Sequence, residues 1–438
     1  MPFMRIPDLW RRMLPQGELK QGVVTLVGAA TIGQAIVVIS APIITRLYTP
    51  SDVGSYSVAN SVLSVLIVVT CLRYEWAIPL PESDVAAANV LGLCLLVAIG
   101  TSLIAAVALW LWGPWLLTLL GAPTVAQWAV LIAVGQLGAG IVLALTGWAI
   151  RTKRFTDIGI NRLTQSATLV VVQVALGVIR LGPVGMLLGS VAGNQAGFIR
   201  LARVAWRTHA PAFRAVTWAG IRYAARRYQR FPIFSSGSAL MNTLGEQAPL
   251  LLLVGIYGAA VGGQFALAVR IGALPVTLVA AAVSQVFVAE TARLAREQPS
   301  EMRVMFGRTT RVLALLAAGP FLLLAILAPI LAGLIFGEAW RDAGLYVAIL
   351  APMFYLQLVT SPTGGTLDVL ERQDLHLVRE VLRLVFVGTA AFISVMIHAS
   401  PVLAVAIFSV AGCLTYIAYG LTSWRAITSH RSRAWRPE

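Results

Sequence analysis

Two charged residues stand inside stretches of this sequence that are otherwise apolar. Arg270 lies within residues 266–275, and Glu246, followed by Gln247, lies within residues 242–249. A charge at membrane depth is costly, so such residues usually pair with each other or face a water-filled cavity or a partner. Two hypotheses follow. The residues form a structural ion pair between helices, or Arg270 meets an anionic group while Glu246 balances its charge or carries a proton.

A second group of polar residues lies at the ends of apolar runs. Arg46 and Tyr48 close the first run, and Arg73, Tyr74 and Glu75 follow the second. Long basic side chains at such positions can extend to the headgroups as interfacial anchors. Arg73 and Glu75 can likewise form a boundary pair at the cytoplasmic face.

Motifs typical of enzymes are missing from the sequence. It contains no GxSxG, HExxH or Walker A motif and no cluster of His, Cys or carboxylate residues at metal-ligand spacing. The three cysteines (Cys71, Cys94 and Cys413) fall in apolar segments without CxxC spacing, as buried packing residues do. We therefore expect no catalytic residue, no bound metal and no cofactor.

The composition predicts the elements that must position these residues. With 58% hydrophobic and 12% charged residues and a mean hydropathy of +0.82, the chain has too little polar surface for a water-soluble globule. Apolar runs of about 20 residues, enough to cross the hydrocarbon layer as helices, recur along its length. The sequence therefore predicts an all-α, polytopic membrane protein with about twelve transmembrane helices in two six-helix lobes around a central cavity. The predicted spans are 23–45, 55–72, 86–112, 126–150, 161–180, 183–205, 234–256, 264–289, 310–336, 345–370, 377–398 and 401–422.

The charged residues outside these spans predict the orientation. If the N-terminus is cytoplasmic, the outer segments hold only Arg46, Arg180 and Arg341 of the 33 lysines and arginines. The inner segments hold 29 of them, and Arg270 is the one basic residue assigned to neither side. Positive charge accumulates on the cytoplasmic side of inserted helices, so the net charge of +15 does not require a nucleic-acid partner. We expect a multi-pass protein of the bacterial inner membrane with both termini in the cytoplasm.

The longest cytoplasmic connection divides the chain. We predict a cytoplasmic segment at 1–22, an N-terminal lobe at 23–205, a basic amphipathic linker at 206–233, a C-terminal lobe at 234–422 and a basic tail at 423–438. Within the linker, Arg214, Arg222, Arg226 and Arg230 share one helical face, which predicts a helix in the headgroup layer. Anionic lipid is the favoured partner of this face, and a specific dock for substrate is the alternative.

A short internal repeat and three prolines also bear on the architecture. Tyr48 and residues 53–59 match Tyr257 and residues 262–268 at one constant offset, which indicates parallel halves, unless two apolar hairpins merely share a composition. The prolines are expected to break the backbone inside spans, as suits a moving bundle. They are Pro42, Pro249 and Pro275.

Three stretches carry a resemblance to a known family. They are residues 45–56 (TRLYTPSDVGSY), 72–81 (LRYEWAIPLP) and 265–275 (FALAVRIGALP). They resemble the hallmark stretches of bacterial polysaccharide-biosynthesis membrane proteins, the O-antigen and exopolysaccharide flippases of the multidrug/oligosaccharidyl-lipid/polysaccharide exporter superfamily. The likeness spans nearly the whole chain, although Trp76 stands where a smaller apolar residue is usual.

The resemblance implies a V-shaped pair of lobes, alternating access and a substrate built on undecaprenyl diphosphate. It implies that Arg46, Arg73 and Arg270 bind the anionic head, and we add Tyr48, Tyr74 and Gln247 as neighbouring polar candidates. Glu246 and Glu75 are the candidates for ion coupling or charge balance. The expected partners are the lipid-linked oligosaccharide, membrane lipids, and a polysaccharide polymerase or glycosyltransferase.

Two alternatives to this flippase function stay open. One is a multidrug or small-molecule antiporter of the same fold, which would favour acidic residues in the cavity. The other is a membrane polysaccharide polymerase or ligase. Such an enzyme ordinarily has a large outer loop, and the outer loops predicted here are short.

Overall fold

The computed structural model describes residues 18–298 and 300–429, which fold into helices and contain no strand. The predicted N-terminal segment and basic tail lie largely outside these residues. The α-helices, in chain order, are α1 (Glu18–Ile39), α2 (Ala41–Leu47), α3 (Pro50–Thr70), α4 (Asp84–Leu119), α5 (Val130–Arg151), α6 (Phe155–Val178), α7 (Pro183–Gln195), α8 (Phe198–Arg214), α9 (Trp218–Arg227), α10 (Ser236–Tyr257), α11 (Ala259–Glu297), α12 (Glu301–Phe336), α13 (Arg341–Thr360), α14 (Thr366–Val369), α15 (Gln373–Met396) and α16 (Pro401–Ser429).

Length and apolar composition distinguish the helices that could cross a membrane. Among the described residues, eight helical stretches are long and apolar enough to cross a bilayer. Helix α4 ends in three exposed tryptophans, Trp110, Trp112 and Trp115, a residue type enriched where helices leave the hydrocarbon layer. The predicted all-α polytopic architecture is confirmed, and helices cover all twelve predicted spans.

The chain forms two compact units. Among the described residues, the first unit comprises those up to Tyr48 and 58–243, and the second comprises 49–57 and those from Leu244 onward. In the first unit, α1 and α7 pack on α6, and α4 and α7 pack on α5. In the second, α12, α11 and α16 pack on α13, and α15 packs on α16. The first two turns of α3 thus belong to the second unit, while the rest of that helix belongs to the first.

Each unit has its own apolar core. In the first unit, Trp148 and Ile78 are buried in a cluster that includes residues of α4 and α9. In the second, Phe265, Phe321 and Phe354 belong to a larger cluster that also takes in residues of α15 and α16. The helices that carry the charged residues of the second unit, described below, are therefore packed against its apolar core.

Three of the predicted spans are divided in the structure. One is 345–370, where α13 ends at Thr360 and α14 begins at Thr366. The first predicted span is split between α1 and α2 at Ser40, where Pro42 occupies the first turn of α2, as expected for a proline that cannot continue the preceding helix. The span predicted at 183–205 is split between α7 and α8 at Gly197, whose φ of 81° is left-handed. Apolar content alone does not reveal this break, because Gly197 interrupts the helix through its backbone.

The other two prolines do not break their helices. Helix α10 continues through Pro249 and α11 continues through Pro275, so the predicted backbone breaks at these two positions are wrong. A proline removes one hydrogen bond, and a long helix packed in a bundle can tolerate that loss.

The predicted linker is helical and amphipathic. It comprises the end of α8, helix α9 and a π-helical turn at Phe231–Ser235. Ala224 is buried in the core of the first unit, whereas Arg222 and Arg226 on the same helix are exposed.

Equivalent helix starts accompany the internal repeat. Helix α3 begins two residues after Tyr48, and α11 begins two residues after Tyr257. The repeated sequence thus coincides with a repeated local structure.

Candidate functional site

Arg270 occupies the first half of helix α11, within the second unit. The residue lies about 16 Å along the helix from Ala259, since each helical residue advances the chain by about 1.5 Å. Its side chain is partly buried and lies near Tyr56 of α3. Gly54 lets the start of α3 approach the start of α11, because a Cβ at Gly54 would collide with the carbonyl oxygen of Ala259. This approach positions Tyr56 near Arg270.

Glu246 lies on α10 and forms an ion pair with an arginine that was not among the predicted site residues. Its Oε1 is 3.9 Å from Nη1 of Arg383, on α15. The same Nη1 is 3.2 Å from Oε2 of Glu380, one turn earlier on α15. The side chains of Arg383 and Glu380 are 11% and 10% exposed, whereas that of Glu246 is 55% exposed. Arg383 therefore has one buried and one accessible carboxylate partner.

The neighbouring Arg379 is held by neutral oxygens of α16. Its Nε donates to Oγ1 of Thr422 (2.6 Å), and its Nη2 donates to Oγ of Ser423 (2.6 Å) and to the carbonyl oxygen of Tyr419 (2.7 Å). Arg379 is only 2% exposed. A buried charge tied this fully to a neighbouring helix acts as a structural link between α15 and α16.

Tyr419 connects the two arginines. Its ring centroid is 5.0 Å from Cζ of Arg379 and 5.2 Å from Cζ of Arg383, both within cation–π distance. Its hydroxyl donates to Oε1 of Glu380 at 2.9 Å, which fixes that carboxylate beside Arg383. We call Glu246, Arg379, Glu380, Arg383 and Tyr419 the α15 charge cluster.

Arg46 and Tyr48, the two candidate site residues at the end of the first apolar run, have different environments in the structure. Arg46, in the last turn of α2, is exposed. Tyr48 is buried, and its hydroxyl donates to the carbonyl oxygen of Gln173 at 2.7 Å. The Gln173 side chain in turn donates to the carbonyl oxygen of Met186 at 3.1 Å. Tyr48 therefore joins α2 to α6 inside the first unit.

The candidates at the second apolar run lie in one short 3₁₀ turn, Tyr74–Ala77, preceded by Arg73 with a φ of 64°. Nη1 of Arg73 is 3.8 Å from Oε1 of Glu75, and the Tyr74 hydroxyl donates to the carbonyl oxygen of Ala225 at 3.3 Å. Glu75 has an 11% exposed side chain. Burial raises the pKa of this carboxyl above its ordinary value, although Arg73 acts in the opposite direction.

Arg151 holds the segment that follows this turn. Its guanidinium donates to the carbonyl oxygens of Pro79, Pro81 and Glu82, and it pairs with Asp84 at 3.0 Å. The backbone of the second family-like stretch is therefore fixed to the end of α5.

The structure thus brings some predicted candidates together and separates others. Arg73, Tyr74 and Glu75 share one turn of the first unit. Glu246 and the partly buried Gln247 lie on α10 of the second unit. The arginines of the α15 charge cluster were missed because they follow Arg372 near a predicted inner boundary and were counted as cytoplasmic. The available signal was the spacing of Arg379, Glu380 and Arg383, which places the arginines one turn apart on a helix.

Metal-binding groups are not found in the described part of the chain. No three His, Cys, Asp or Glu residues there are arranged to hold a metal ion.

Three solved structures share this fold. The Lipid II flippase MurJ in an inward closed conformation superposes with a TM-score of 0.70 at 9% identity, over 90% of this chain and 86% of that chain. An inward-facing multidrug resistance MATE family transporter of the MOP superfamily gives 0.68 at 15% identity, over 93% and 98%. A MOP superfamily transporter from Pyrococcus furiosus, described as having a binding pocket of reverse polarity, gives 0.59 at 17% identity, over 95% and 97%.

Sequence comparison identifies the family. No curated protein sequence matches the chain. The family model described as polysaccharide biosynthesis protein matches residues 43–344, which is more than half of the chain and includes all three family-like stretches. The chain is a multi-pass membrane protein with the MOP-transporter fold, and it belongs to the polysaccharide biosynthesis protein family.

Proposed function

We propose that this protein is a flippase that carries undecaprenyl-diphosphate-linked oligosaccharides from the cytoplasmic to the periplasmic leaflet for O-antigen or exopolysaccharide synthesis. The match to the polysaccharide biosynthesis family over residues 43–344 is the observation that carries this proposal. The fold shared with a lipid II flippase supports it, since that protein too is named for moving a lipid.

The chemistry of the substrate explains the need for arginines. A diphosphate joined to sugars cannot enter hydrocarbon without losing its hydration. Guanidinium groups can replace lost water with paired, charge-assisted hydrogen bonds to phosphate oxygens. Arg270 is our first candidate for this contact because it lies within a spanning helix. Arg46 and Arg73 are candidates for contacts at the two ends of the path.

Alternating access supplies the transport mechanism in this proposal. Residues 23–205 and 234–422 would act as the two lobes, with Tyr48, Tyr74 and Gln247 as polar neighbours of the arginines. Glu246 and Glu75 would balance charge or couple transport to an ion. The arginine-rich inner segments support an inner-membrane location with both termini cytoplasmic. A polymerase or glycosyltransferase would use or supply the oligosaccharide.

Export of small molecules is the second candidate function. The similarity to a multidrug resistance transporter favours it, because that structure covers 93% of this chain. A cationic drug would need accessible carboxylates, and Glu246 is one such group.

Translocation into proteoliposomes tests the two functions against each other. The purified protein would receive either a fluorescent undecaprenyl-diphosphate oligosaccharide or a fluorescent cationic drug, and a membrane-impermeant quencher would report the fraction on each side. The flippase function predicts transbilayer movement of the glycolipid above the rate in protein-free vesicles. Transport of the drug alone, under ion gradients of either sign, would contradict it.

A further inference from the structure

The α15 charge cluster contains a second anion-binding residue. We infer that Arg383 binds the diphosphate of the transported lipid, and that Glu246 is the counter-ion which the diphosphate displaces. This role presupposes the flippase function proposed above and adds a site that the sequence motifs do not contain.

The depth of the cluster suits a membrane-embedded ligand. Glu246 lies about ten residues into α10, and Arg383 about ten residues into α15. Tyr419 lies about ten residues before the end of α16. Each is therefore about 15 Å from one end of its helix. The three residues lie within the predicted spans 234–256, 377–398 and 401–422, with Arg383 and Tyr419 toward the inner ends of theirs. Charges within spanning segments are retained mainly where they have a function.

The two carboxylates around Arg383 are not equivalent. Glu380 is buried, lies 3.2 Å from Arg383, and accepts a hydrogen bond from Tyr419. Glu246 lies farther away, at 3.9 Å, and more than half of its side chain is exposed. Glu246 is therefore the partner that we expect an anion to replace.

The overall charge of the cluster favours such a replacement. Arg379 and Arg383 bring two positive charges, and the fixed Glu380 brings one negative charge. Without Glu246 the remaining charges of the cluster would therefore sum to one excess positive charge. A diphosphate oxygen can supply the missing negative charge. Two phosphoryl groups can also accept two hydrogen bonds from one guanidinium, whereas Glu246 is too distant to do so.

Helix α10 has a glycine, Gly245, at the position where the Arg383 side chain packs against it. A Cβ at Gly245 would lie 2.7 Å from Cδ of Arg383, so a larger residue there would force the arginine side chain to shift. The guanidinium also lies over the Tyr419 ring, with Cζ 5.2 Å from the ring centroid. The arginine is thus held between two helices with its charged end directed toward both carboxylates.

Equilibrium binding to the full-length protein tests this assignment. Native mass spectrometry of the detergent-purified protein would measure the dissociation constants of undecaprenyl diphosphate, of uncharged undecaprenol and of phosphatidylglycerol. The variants are Arg383→Gln and Glu246→Gln, with Arg293→Gln as the control, because Arg293 is an exposed arginine on α11. Thermal unfolding of each variant would establish that it is folded.

The two variants are expected to act in opposite directions. Arg383→Gln should weaken binding of undecaprenyl diphosphate by about tenfold or more, since a desolvated charge-assisted contact is lost. Glu246→Gln should strengthen binding severalfold, because the competing carboxylate is removed. Undecaprenol binding and the Arg293→Gln variant should be unaffected. If Arg383→Gln does not fold, the gain in Glu246→Gln decides the question alone.

Four results would overturn the assignment. Unchanged or weaker diphosphate binding by Glu246→Gln would show that Glu246 is not a displaceable counter-ion. Full binding by Arg383→Gln would remove Arg383 from the site and leave the flippase function intact. If Arg383→Gln weakened the binding of phosphatidylglycerol as much as that of undecaprenyl diphosphate, Arg383 would be a general phospholipid contact. If the unmodified protein binds undecaprenyl diphosphate no better than undecaprenol, the flippase function itself fails and this assignment fails with it.

Discussion

Gly245 and Arg383 meet where α10 packs against α15, and the glycine lacks the one atom that would collide with the arginine. A Cβ built at Gly245 would lie 2.7 Å from Cδ of Arg383, closer than side chains normally approach. The conformation of the buried guanidinium therefore depends on a residue of a different helix, which also carries Glu246.

Replacement of Gly245 by alanine should alter binding more than stability. Cδ lies in the middle of a flexible side chain, so Arg383 can move aside, and alanine favours the helix by up to about 1 kcal/mol. We expect a change in the free energy of unfolding within about 1 kcal/mol, but several-fold weaker binding of undecaprenyl diphosphate. Gly237→Ala is the matched control, because nothing lies within 4 Å of a Cβ at that position of the same helix. Equal binding by both variants would contradict the role of Gly245.

Arg379 should contribute mainly to folding. Its replacement by alanine removes three short hydrogen bonds to α16 and leaves a cavity, which together should cost about 3 kcal/mol of unfolding free energy. Denaturant titration in mixed micelles would measure the loss. The exposed Arg293→Ala should change it by less than about 0.5 kcal/mol. An Arg379→Ala protein as stable as the parent would show that the hydrogen bonds to Thr422, Ser423 and Tyr419 are not a structural link.

Tyr48→Phe distinguishes a structural hydroxyl from one that binds substrate. The hydroxyl is buried and donates to the carbonyl oxygen of Gln173, so its loss should lower the free energy of unfolding by about 1 kcal/mol. Transport at equal incorporation into vesicles should be unchanged. A fall in transport without a fall in stability would restore Tyr48 to the substrate path.

Glu75 should make stability depend on pH. Burial raises its pKa in the folded protein above the ordinary value near 4.5, so the folded state holds the proton more tightly than the unfolded state. Its favourable contribution is therefore fully present below the ordinary pKa and is lost as the pH rises through the raised value. Glu75→Gln should be more stable than the parent at neutral pH, with a smaller difference in acid. Melting temperatures in detergent from about pH 4 to about pH 8 would measure this. A parent protein that gains stability over this range relative to Glu75→Gln would contradict the sign.

The sequence was sufficient to predict the fold class but only part of the candidate site. Hydropathy reveals spanning helices because their apolar surface faces lipid, and it reveals Arg270 because that charge interrupts an apolar run. Arg379 and Arg383 lie at the start of the predicted span 377–398, next to a polar segment that contains Asp374 and His376, so the count of loop charges assigned them to the cytoplasmic side. Only the packing of α15 against α16 shows that Arg379 is buried.

The sequence pattern also did not predict where the helical backbone breaks and where it continues. The break at Gly197 depends on one positive φ angle within an apolar stretch. The continuity of α11 through Pro275 depends on tertiary packing, which can offset one lost hydrogen bond. Neither outcome follows from residue type alone, because glycine and proline are both tolerated within long spanning helices.

The central claim is that an arginine within a spanning helix carries the diphosphate of the substrate. Translocation of a labelled undecaprenyl-diphosphate oligosaccharide should be compared between the intact protein, Arg270→Ala, Arg270→Lys and Arg293→Ala at equal incorporation. Arg293 lies on the same helix as Arg270 and is exposed. Transport should be largely lost in Arg270→Ala, partly retained in Arg270→Lys and unchanged in Arg293→Ala. Full transport by a correctly inserted Arg270→Ala protein would contradict the account.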